Sequence, residues 1–405
     1  MKKNLVVGQS GGPTAVINSS LYGVVKEGCQ SEEIDWVFGM VNGIEGFLKN
    51  RYLDFQKMEE EKTLEKLLYT PGAFLGSCRY KLPDDLTNPV YGEIFKKLEE
   101  LNIGYFCYIG GNDSMDTVSK LSRYAAGADS SIRFIGIPKT VDNDLVMTDH
   151  TPGYGSAARY VAQTVKEIAY DASVYDSKSV TIVEIMGRHA GWLTAAGCLA
   201  RRDENDNPRL IYLPETAFDT EKFVASVEQA LEECPNLVVC VSEGIKDKDG
   251  VLICEYDSEA GVDNFGHKML TGCGKYLERL IQQKLGVKVR SVELNVCQRC
   301  SSTMMSRTDQ EEAAQAGMYG VRAALGGETG MMVAFERKDG SEYEMECSLQ
   351  DVNRICNQEK TVPLEWIIRE GTDVSSEFIK YAMPLVKGKV NCPEGEDGFA
   401  DFVRR

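Results

Sequence analysis

The sequence lacks several features that would assign the chain to other classes of protein. It has no run of about 18 uncharged apolar residues, the length that a transmembrane helix requires, so we expect no membrane span. The stretch before Gly8 is too short for the apolar region of a signal peptide, and we interpret it as a first strand. Positive charge is also scarce: 45 lysines and arginines against 62 aspartates and glutamates give a net charge of −17. This balance argues against binding to nucleic acid or to an acidic membrane surface.

Paired cysteines are lacking as well. The 13 cysteines are odd in number and scattered, and Cys297-Gln-Arg-Cys300 is the one closely spaced pair. No second pair of ligands follows it, so the spacing does not predict a zinc site. Cys107, Cys198 and Cys240 lie inside apolar runs, where a thiol behaves as a small core residue. These features favour a reducing compartment, and we expect a cytoplasmic protein.

What the sequence does contain is an alternation of apolar strands and amphipathic helices. Such alternation is typical of an α/β fold with a parallel sheet and helices on both faces. With 405 residues, 43% of them hydrophobic, the chain is long enough for two domains. We expect the chain to cross between them near residues 145–155, and a late strand at 331–335, with an antiparallel orientation as one option. The other predicted strands are 4–8, 36–40, 105–109, 133–137, 179–185, 209–213, 236–241 and 287–296.

Two glycine pairs follow predicted strands. One is Gly11-Gly12, in Leu5-Val-Val-Gly-Gln-Ser-Gly-Gly-Pro-Thr14, and the other is Gly110-Gly111, in Tyr108-Ile-Gly-Gly-Asn-Asp-Ser-Met-Asp116. Glycine lets backbone N–H groups approach an anion, and a helix N-terminus adds partial positive charge. One such turn alone is equally typical of a tight connection, but two of them at parallel strand ends indicate a ligand crevice.

A third strand end carries charged residues. The predicted strand 133–137 runs into Pro138, and Lys139, Asp142 and Asp144 follow on an irregular turn. Paired carboxylates at a strand end suit either metal binding or general-base chemistry. A lysine three residues before the first carboxylate indicates that the ligand is an anion.

Further charged residues stand next to predicted strands or glycines. Each alone could be a surface ion pair or a turn cap, but an arginine at a strand end is also a natural contact for phosphate or a sugar hydroxyl. The hypothesis of a site depends on their shared location. They are Arg79, Arg188, Glu243, Arg290 and Arg299.

These motifs, taken in order, resemble those of the 6-phosphofructokinases. The matching stretches are Gln-Ser-Gly-Gly-Pro-Thr-Ala, Gly-Ser-Cys-Arg, Gly-Gly-Asn-Asp-Ser, Pro-Lys-Thr-Val-Asp-Asn-Asp, Glu-Ile-Met-Gly-Arg-His-Ala-Gly-Trp, Ser-Glu-Gly and Cys-Gln-Arg. The resemblance implies two Rossmann-like parallel-sheet α/β domains with the active site in the cleft between them. A donor-binding domain would comprise 1–150 and about 298–355. A sugar-phosphate-binding domain would comprise 151–297 and about 356–405.

The resemblance also implies roles for individual residues. Asp142 matches the base that takes the proton from the 1-hydroxyl of fructose 6-phosphate, and Thr140 and Arg188 match groups that contact the transferred phosphoryl. Met186, Gly187, Glu243 and Asp144 match the sugar-phosphate side. Arg290 and Arg299 match clamps on the 6-phosphate. Residues matching the donor side are Gly11, Gly12, Arg79, Gly111, Asp113, Ser114 and Lys139.

Lys139 and Asp113 resemble the pyrophosphate-dependent branch of this family. In members that use ATP, both positions resemble glycine. An aspartate at 113 would fill the space of a nucleotide's α-phosphate, and a lysine at 139 would supply charge to pyrophosphate. The resemblance therefore implies a glycolytic transferase that uses pyrophosphate, fructose 6-phosphate and Mg²⁺, with the metal near Asn112 and Asp113. A homodimer or homotetramer is implied, because one arginine clamp in the family comes from a neighbouring subunit.

Three positions depart from the family pattern. Asn112 stands in place of a metal-binding aspartate, Ser179 in place of an arginine that meets the 6-phosphate, and Val296 in place of a histidine or tyrosine that touches the sugar. These departures leave open the same chemistry on sedoheptulose 7-phosphate, or a non-catalytic subunit that senses sugar phosphates. An ATP-dependent 6-phosphofructokinase is a further alternative, against which Asp113 and Lys139 count. The residues after about 330 carry no motif.

Overall fold

The computed structural model describes residues 2–60, 63–256, 272–356 and 358–405. The strands in these ranges are β1 (Lys3–Gln9), β2 (Ile34–Met40), β3 (Tyr52–Asp54), β4 (Ile103–Gly110), β5 (Arg133–Pro138), β6 (Ser179–Ile185), β7 (Leu210–Tyr212), β8 (Asn236–Ser242), β9 (Lys288–Glu293), β10 (Met331–Arg337), β11 (Met345–Asp351), β12 (Ile367–Ile368) and β13 (Asp373–Val374). The α-helices are α1 (Ile17–Gln30), α2 (Gly43–Leu48), α3 (Gln56–Glu60), α4 (Pro89–Glu100), α5 (Asn112–Gly127), α6 (Tyr154–Ala172), α7 (Trp192–Ala195), α8 (Thr220–Glu233), α9 (Cys273–Leu285), α10 (Cys297–Cys300), α11 (Arg307–Leu325) and α12 (Ser376–Ala382).

The chain divides into two compact α/β units. The first consists of Met1–Ser156, Arg299–Glu359 and Lys387–Arg405, and the second of Ala157–Gln298 and Lys360–Val386. None of the helices in the described ranges combines the length and apolar character that a bilayer crossing requires.

The first unit is built on a seven-stranded sheet in the order β11-β10-β5-β4-β1-β2-β3. The five inner strands are parallel, and the two edge strands β3 and β11 run antiparallel to their neighbours. The late strand β10 runs parallel to its inner neighbour β5 and antiparallel to the edge strand β11. The antiparallel option was therefore wrong for the pairing with β5. Apolar residues of the inner strands are buried on both faces, which is typical of a parallel sheet covered by helices.

Helices α1 and α11 pack together on one face of this sheet. A Cβ added at Gly23 would lie 2.0 Å from the carbonyl oxygen of Ala314, and one at Gly317 would lie 2.2 Å from that of Ser20. Only glycine allows two helix backbones to approach this closely. The opposite face of the sheet is covered by the apolar sides of α4 and α5.

The second unit contains a four-stranded parallel sheet in the order β7-β8-β6-β9. Phe223, Val227 and Leu231 of α8 and Leu277 and Ile281 of α9 bury their apolar sides in its core. Strand β9 ends at Glu293, so the predicted strand 287–296 was too long. Asn295 adopts a left-handed conformation (φ 42°), and a single helical turn follows it.

The C-terminal residues 387–405 belong to the first unit, whereas the sequence analysis assigned all of 356–405 to the second domain. Lys66 pairs with Asp401 at 2.7 Å, and the Val403 N–H donates to the Thr70 hydroxyl at 3.0 Å. These contacts join residues more than 300 positions apart, which no local pattern in the sequence indicates.

Candidate active site

The carboxyl ends of β1, β4 and β5 lie at one edge of the first sheet. Gln9 is level with Ile109, and Gly110 is level with Pro138. The Ser10 N–H donates to the carbonyl oxygen of Ile109 at 3.0 Å, and the Lys139 N–H donates to that of Gly110 at 2.9 Å. The three motifs that the sequence analysis selected are therefore neighbours at the edge where parallel α/β sheets bind ligands.

The turn after β1 is held by hydrogen bonds to the segment that contains Leu75 and Ser77. The Gln9 side-chain oxygen accepts from the Leu75 N–H at 2.9 Å, and the Ser77 hydroxyl donates to the carbonyl oxygen of Gly11 at 2.6 Å. Gly11 has a φ of 78°, a conformation that favours glycine. Helix α1 begins at Ile17, so this glycine pair is separated from the helix by a short connection.

The turn after β4 does open directly into a helix. Gly111 is the N-cap of α5, which places the free N–H groups of the first helical turn at the sheet edge. Gly110 is required by close packing, because a Cβ there would lie 1.8 Å from the Ser114 hydroxyl. Ser114 in turn shares a 2.6 Å hydrogen bond with Ser10 of the first turn. Asp113 lies on the exposed side of this first helical turn.

Lys139 is buried where the three turns meet. Its side chain is 3% exposed, and its Nζ donates to the carbonyl oxygen of Gly12 at 2.7 Å. The pKa of Lys139 is lowered to about 8: burial and the nearby charge of Arg299 lower it, and the carboxylates of Asp142 and Asp144 act in the opposite direction. Below about pH 8 the ammonium is charged. Because the site is buried, its attraction for a bound anion is stronger than it would be in water.

The turn that carries Asp142 and Asp144 is shaped by its own hydrogen bonds. The Asp142 N–H donates to the Thr140 hydroxyl at 3.1 Å, and Asn143 takes a left-handed conformation (φ 55°). The Thr151 hydroxyl donates to the carbonyl oxygen of Thr140 at 2.8 Å and closes the turn. Burial raises the pKa of Asp144, with a further contribution from the charge of Glu359.

Two buried carboxylates of α11 anchor the chain that follows this turn. Asp309 accepts from the N–H groups of Gly153 and Ser156, both at 2.8 Å. One turn further along the helix, Glu312 shares a hydrogen bond of 2.7 Å with His150 Nε2. The segment after the turn is therefore fixed to α11 at both His150 and Gly153.

A cavity of about 570 Å³ lies over these turns. Nine of the predicted site residues line it, together with Glu359, which the sequence analysis did not select. The lining residues are Gly11, Gly12, Gly111, Asn112, Asp113, Ser114, Lys139, Thr140, Asp144 and Glu359.

Arg299 lies beside the first glycine turn. A Cβ added at Gly12 would be 3.2 Å from Arg299 Nη1. Arg299 and Arg290 were expected to act together on the 6-phosphate, but Arg299 belongs to the first unit and Arg290 to the second. Arg79 is exposed on the loop whose Cys78 carbonyl accepts from the Gly11 N–H at 3.3 Å.

In the second unit, Met186, Gly187 and Arg188 follow β6 directly, and Glu243 follows its neighbour β8. Ile185 is level with Ser242, so these two strand ends are adjacent. The Ser242 hydroxyl donates to the carbonyl oxygen of Gly187 at 2.5 Å. Gly187 has a φ of 136°, and a Cβ there would lie 2.4 Å from the Ala190 carbonyl oxygen.

Gln298 is a residue of this region that the sequence analysis did not select. Its buried side-chain oxygen accepts from the Met186 N–H at 3.3 Å, and its amide nitrogen donates to the carbonyl oxygen of Asn295 at 2.9 Å. Gln298 thus positions the start of the Met186–Arg188 loop. Gln298 is part of the Cys-Gln-Arg motif, and that position in the sequence could have identified it as a residue of the site.

Arg290 does not lie at a strand end, contrary to the prediction. It is the third residue of β9 and is level with Thr181, four residues before Ile185. At about 3.3 Å per residue, Arg290 is roughly 13 Å from the carboxyl edge of its own sheet. It instead lines a separate cavity of about 330 Å³ together with Ser179.

A sequence model described as Phosphofructokinase matches residues 4–324. The chain belongs to the phosphofructokinase family. It is 40% identical over 390 residues to the pyrophosphate–fructose 6-phosphate 1-phosphotransferase of Rhodospirillum rubrum, with 95% of this chain and 94% of the relative covered. It is 38% identical over 403 residues to the enzyme of the same name from Xanthomonas campestris pv. campestris, with 99% and 95% covered.

Solved structures agree with this family membership. The pyrophosphate-dependent phosphofructokinase from Nitrosospira multiformis superposes with a TM-score of 0.90 at 34% identity, and covers 100% of this chain and 96% of its own. The α/β architecture expected for the phosphofructokinase family is therefore confirmed.

Proposed function

We propose that the chain catalyses the reversible transfer of a phosphoryl group from pyrophosphate to the 1-hydroxyl of fructose 6-phosphate, a step of glycolysis. The observation that carries this proposal is the buried Lys139 beside Gly12, with Asp113 lining the same cavity. Relatives with the corresponding name cover nearly the full length of the chain and support it.

The first unit would bind the phosphoryl donor. Backbone N–H groups around Gly12 and Gly111 would bind phosphate oxygens, and the buried Lys139 would neutralise their charge. The hydroxyl of Ser114 and the guanidinium of Arg79 would complete the donor contacts. Asp113 would oppose the α-phosphate of a nucleotide by its charge and volume.

Asp142 would act as the general base. A carboxylate within reach of the 1-hydroxyl can accept its proton as the oxygen attacks phosphorus. Thr140, which fixes the Asp142 N–H, would contact the transferred group. Arg188 would stabilise the charge on the transferred phosphoryl, and Asp144 would stand beside the base. Phosphoryl transfer depends mainly on such positioning and charge neutralisation.

The second unit would bind the sugar phosphate. Met186, Gly187 and Glu243, at adjacent strand ends, would contact the sugar. Arg290 and Arg299 would bind the 6-phosphate. Since Arg290 is far from the carboxyl edge of its own sheet, we infer that it serves a neighbouring copy of the chain, so that the active enzyme is a homodimer or homotetramer.

A divalent cation, Mg²⁺ in our proposal, would accompany pyrophosphate. Asn112 and Asp113 offer oxygen ligands beside the glycine turns. Among the residues that the structure describes, no three His, Cys, Asp or Glu side chains form a ready-made ion cage. At phosphate sites, Mg²⁺ is commonly held by one or two carboxylates plus substrate phosphates. When bound, the cation would offset charge on the phosphates.

We further propose that the reaction takes place in the cytoplasm, since cysteines that are odd in number and scattered along the sequence fit a reducing environment. The test of the function is ³¹P NMR of the purified chain with Mg²⁺, pyrophosphate and fructose 6-phosphate. The expected products are phosphate and fructose 1,6-bisphosphate, and the reverse mixture should regenerate pyrophosphate. Turnover of sedoheptulose 7-phosphate but not of fructose 6-phosphate would reject the acceptor, and no turnover with either would reject the function.

A further inference from the structure

Glu359 lies in the donor cavity although it belongs to a part of the chain without recognisable motifs. Its side chain is exposed and lines the same cavity as Lys139, Asp113 and Asp144. It lies close enough to Asp144 for its charge to influence that carboxyl group.

Asn112 holds this segment at the cavity. Its side-chain amide donates to the carbonyl oxygen of Gln358 at 2.6 Å, one residue before Glu359. An aspartate at position 112, as in the family pattern, would have no side-chain N–H to donate. The contact therefore depends on the asparagine that stands there in this chain. The contact brings a carboxylate from the late part of the chain to the edge of the first sheet.

The charges around the cavity favour the entry of a cation together with an anion. Three carboxylates line it, those of Asp113, Asp144 and Glu359, against the single ammonium of Lys139. Arg299 adds a positive charge next to Gly12. Pyrophosphate would add several further negative charges, and carboxylates facing phosphate oxygens repel them strongly in a site of low dielectric constant. A divalent cation between the two sets of oxygens removes this repulsion.

We propose that Glu359, together with Asp144, is a ligand of the divalent cation that enters with pyrophosphate. This inference rests on the proposed function for the identity of the anion. Carboxylate oxygens from two chain segments plus phosphate oxygens are the ligand set that Mg²⁺ uses at phosphate sites. The glycines at 11, 12 and 111 leave the room that the phosphates need beside it.

The test measures metal binding without turnover. Mn²⁺ is titrated into the full-length chain with pyrophosphate and no sugar phosphate, and free Mn²⁺ is followed by electron paramagnetic resonance. Glu359→Gln should weaken Mn²⁺ binding about tenfold or more, and Glu359→Asp, whose carboxylate is displaced by one methylene, should weaken it less. The matched control is Glu93→Gln, an exposed glutamate on α4, which should bind Mn²⁺ like the wild type.

Wild-type Mn²⁺ affinity in a folded Glu359→Gln protein would overturn the inference. The inference would also be overturned if Glu359→Gln changed only the preference for pyrophosphate over ATP and not the Mn²⁺ affinity. Glu359 would then select the donor without binding the metal. If Glu359→Gln does not fold, Glu359→Asp is used in its place. A Mn²⁺ affinity equal to that of the wild type in both Glu359→Asp and the control would then overturn the inference. A wild-type chain that binds Mn²⁺ and pyrophosphate through Glu359 but produces no fructose 1,6-bisphosphate would reject the proposed function and leave this inference intact.

Discussion

Lys139 Nζ donates a hydrogen bond to the carbonyl oxygen of Gly12 at 2.7 Å. This contact links the end of the fifth strand to the turn after the first, across residues 127 positions apart in the chain. It holds a buried positive charge at the floor of the glycine-lined cavity. The account of the donor site depends on this charge.

Replacement of Asp142 by serine should abolish turnover and leave binding of fructose 6-phosphate nearly unchanged. Loss of an acid–base group raises the barrier by about 3–5 kcal/mol, since such groups contribute about 10²–10⁴-fold to the rate. The measurements are kcat and a calorimetric titration with the sugar phosphate. Asp35→Ser, at an exposed aspartate on β2, is the control. A kcat close to that of the wild type would remove Asp142 as the base.

The double variant Asp113→Gly with Lys139→Gly should gain activity with ATP and lose activity with pyrophosphate. Removal of the Asp113 carboxylate frees space and relieves repulsion of an α-phosphate, and removal of Lys139 takes away the charge beside Gly12. The measurement is kcat/KM for each donor at saturating fructose 6-phosphate. The single variants separate the two effects. If the double variant shows no more ATP use than the wild type, steric and charge selection by these residues is wrong.

The kcat/KM for pyrophosphate should fall as the pH rises through about 8. The pKa of Lys139 is lowered to about 8, so its ammonium is charged below that pH and neutral above it. Because kcat/KM reports the free enzyme, loss of the charge should appear as weaker capture of the anion. Lys139→Arg keeps its charge at alkaline pH and should move the fall to higher pH. The same alkaline limb in both proteins would assign the titration to another group or to pyrophosphate itself.

His150 should stabilise the fold more at low pH than at high pH. Its ring is fully buried between Asp149 and Glu312, which are in turn contacted by Arg337 and Tyr343. The two carboxylates raise the pKa of His150 to about 8 despite the opposing effect of burial, above the unfolded value of about 6.5. A raised pKa means that the folded state binds the proton more tightly, so this stabilisation is complete below about pH 6.5 and lost as the pH rises through about 8.

Urea unfolding of the wild type and of His150→Gln measures this contribution. The difference in the free energy of unfolding between the two proteins should be larger at pH 6 than at pH 9, by about 2 kcal/mol. His189→Gln, at an exposed histidine, is the control for the replacement of a histidine as such. A difference that is equal at both pH values would contradict a charged His150 in the folded protein.

The sequence predicted best the features that local patterns control. Apolar strands followed by glycine pairs or by Lys139 place those residues at one sheet edge, because parallel strands end at the same side. The extent of β9 was overestimated because the apolar pattern continues past Glu293, and only the left-handed Asn295 ends the strand. Arg290 lies inside the predicted strand 287–296 as well as inside β9, so its mid-strand location could have been read from the predicted strand itself.

Contacts between distant segments were not predictable. Glu359 reaches the donor cavity through a hydrogen bond between Asn112 and Gln358, residues 246 positions apart. The packing of residues 387–405 on the first unit has the same origin. A single sequence records neither pairing, because each depends on which surfaces the rest of the fold leaves available.

The most direct test of the account is the initial rate of the wild-type chain with fructose 6-phosphate and Mg²⁺, with pyrophosphate or ATP as the only phosphoryl donor. The account predicts turnover with pyrophosphate and little with ATP, because Lys139 and Asp113 occupy the donor cavity. Efficient turnover with ATP and little with pyrophosphate would contradict the central claim, although the fold and the role of Asp142 as base would stand.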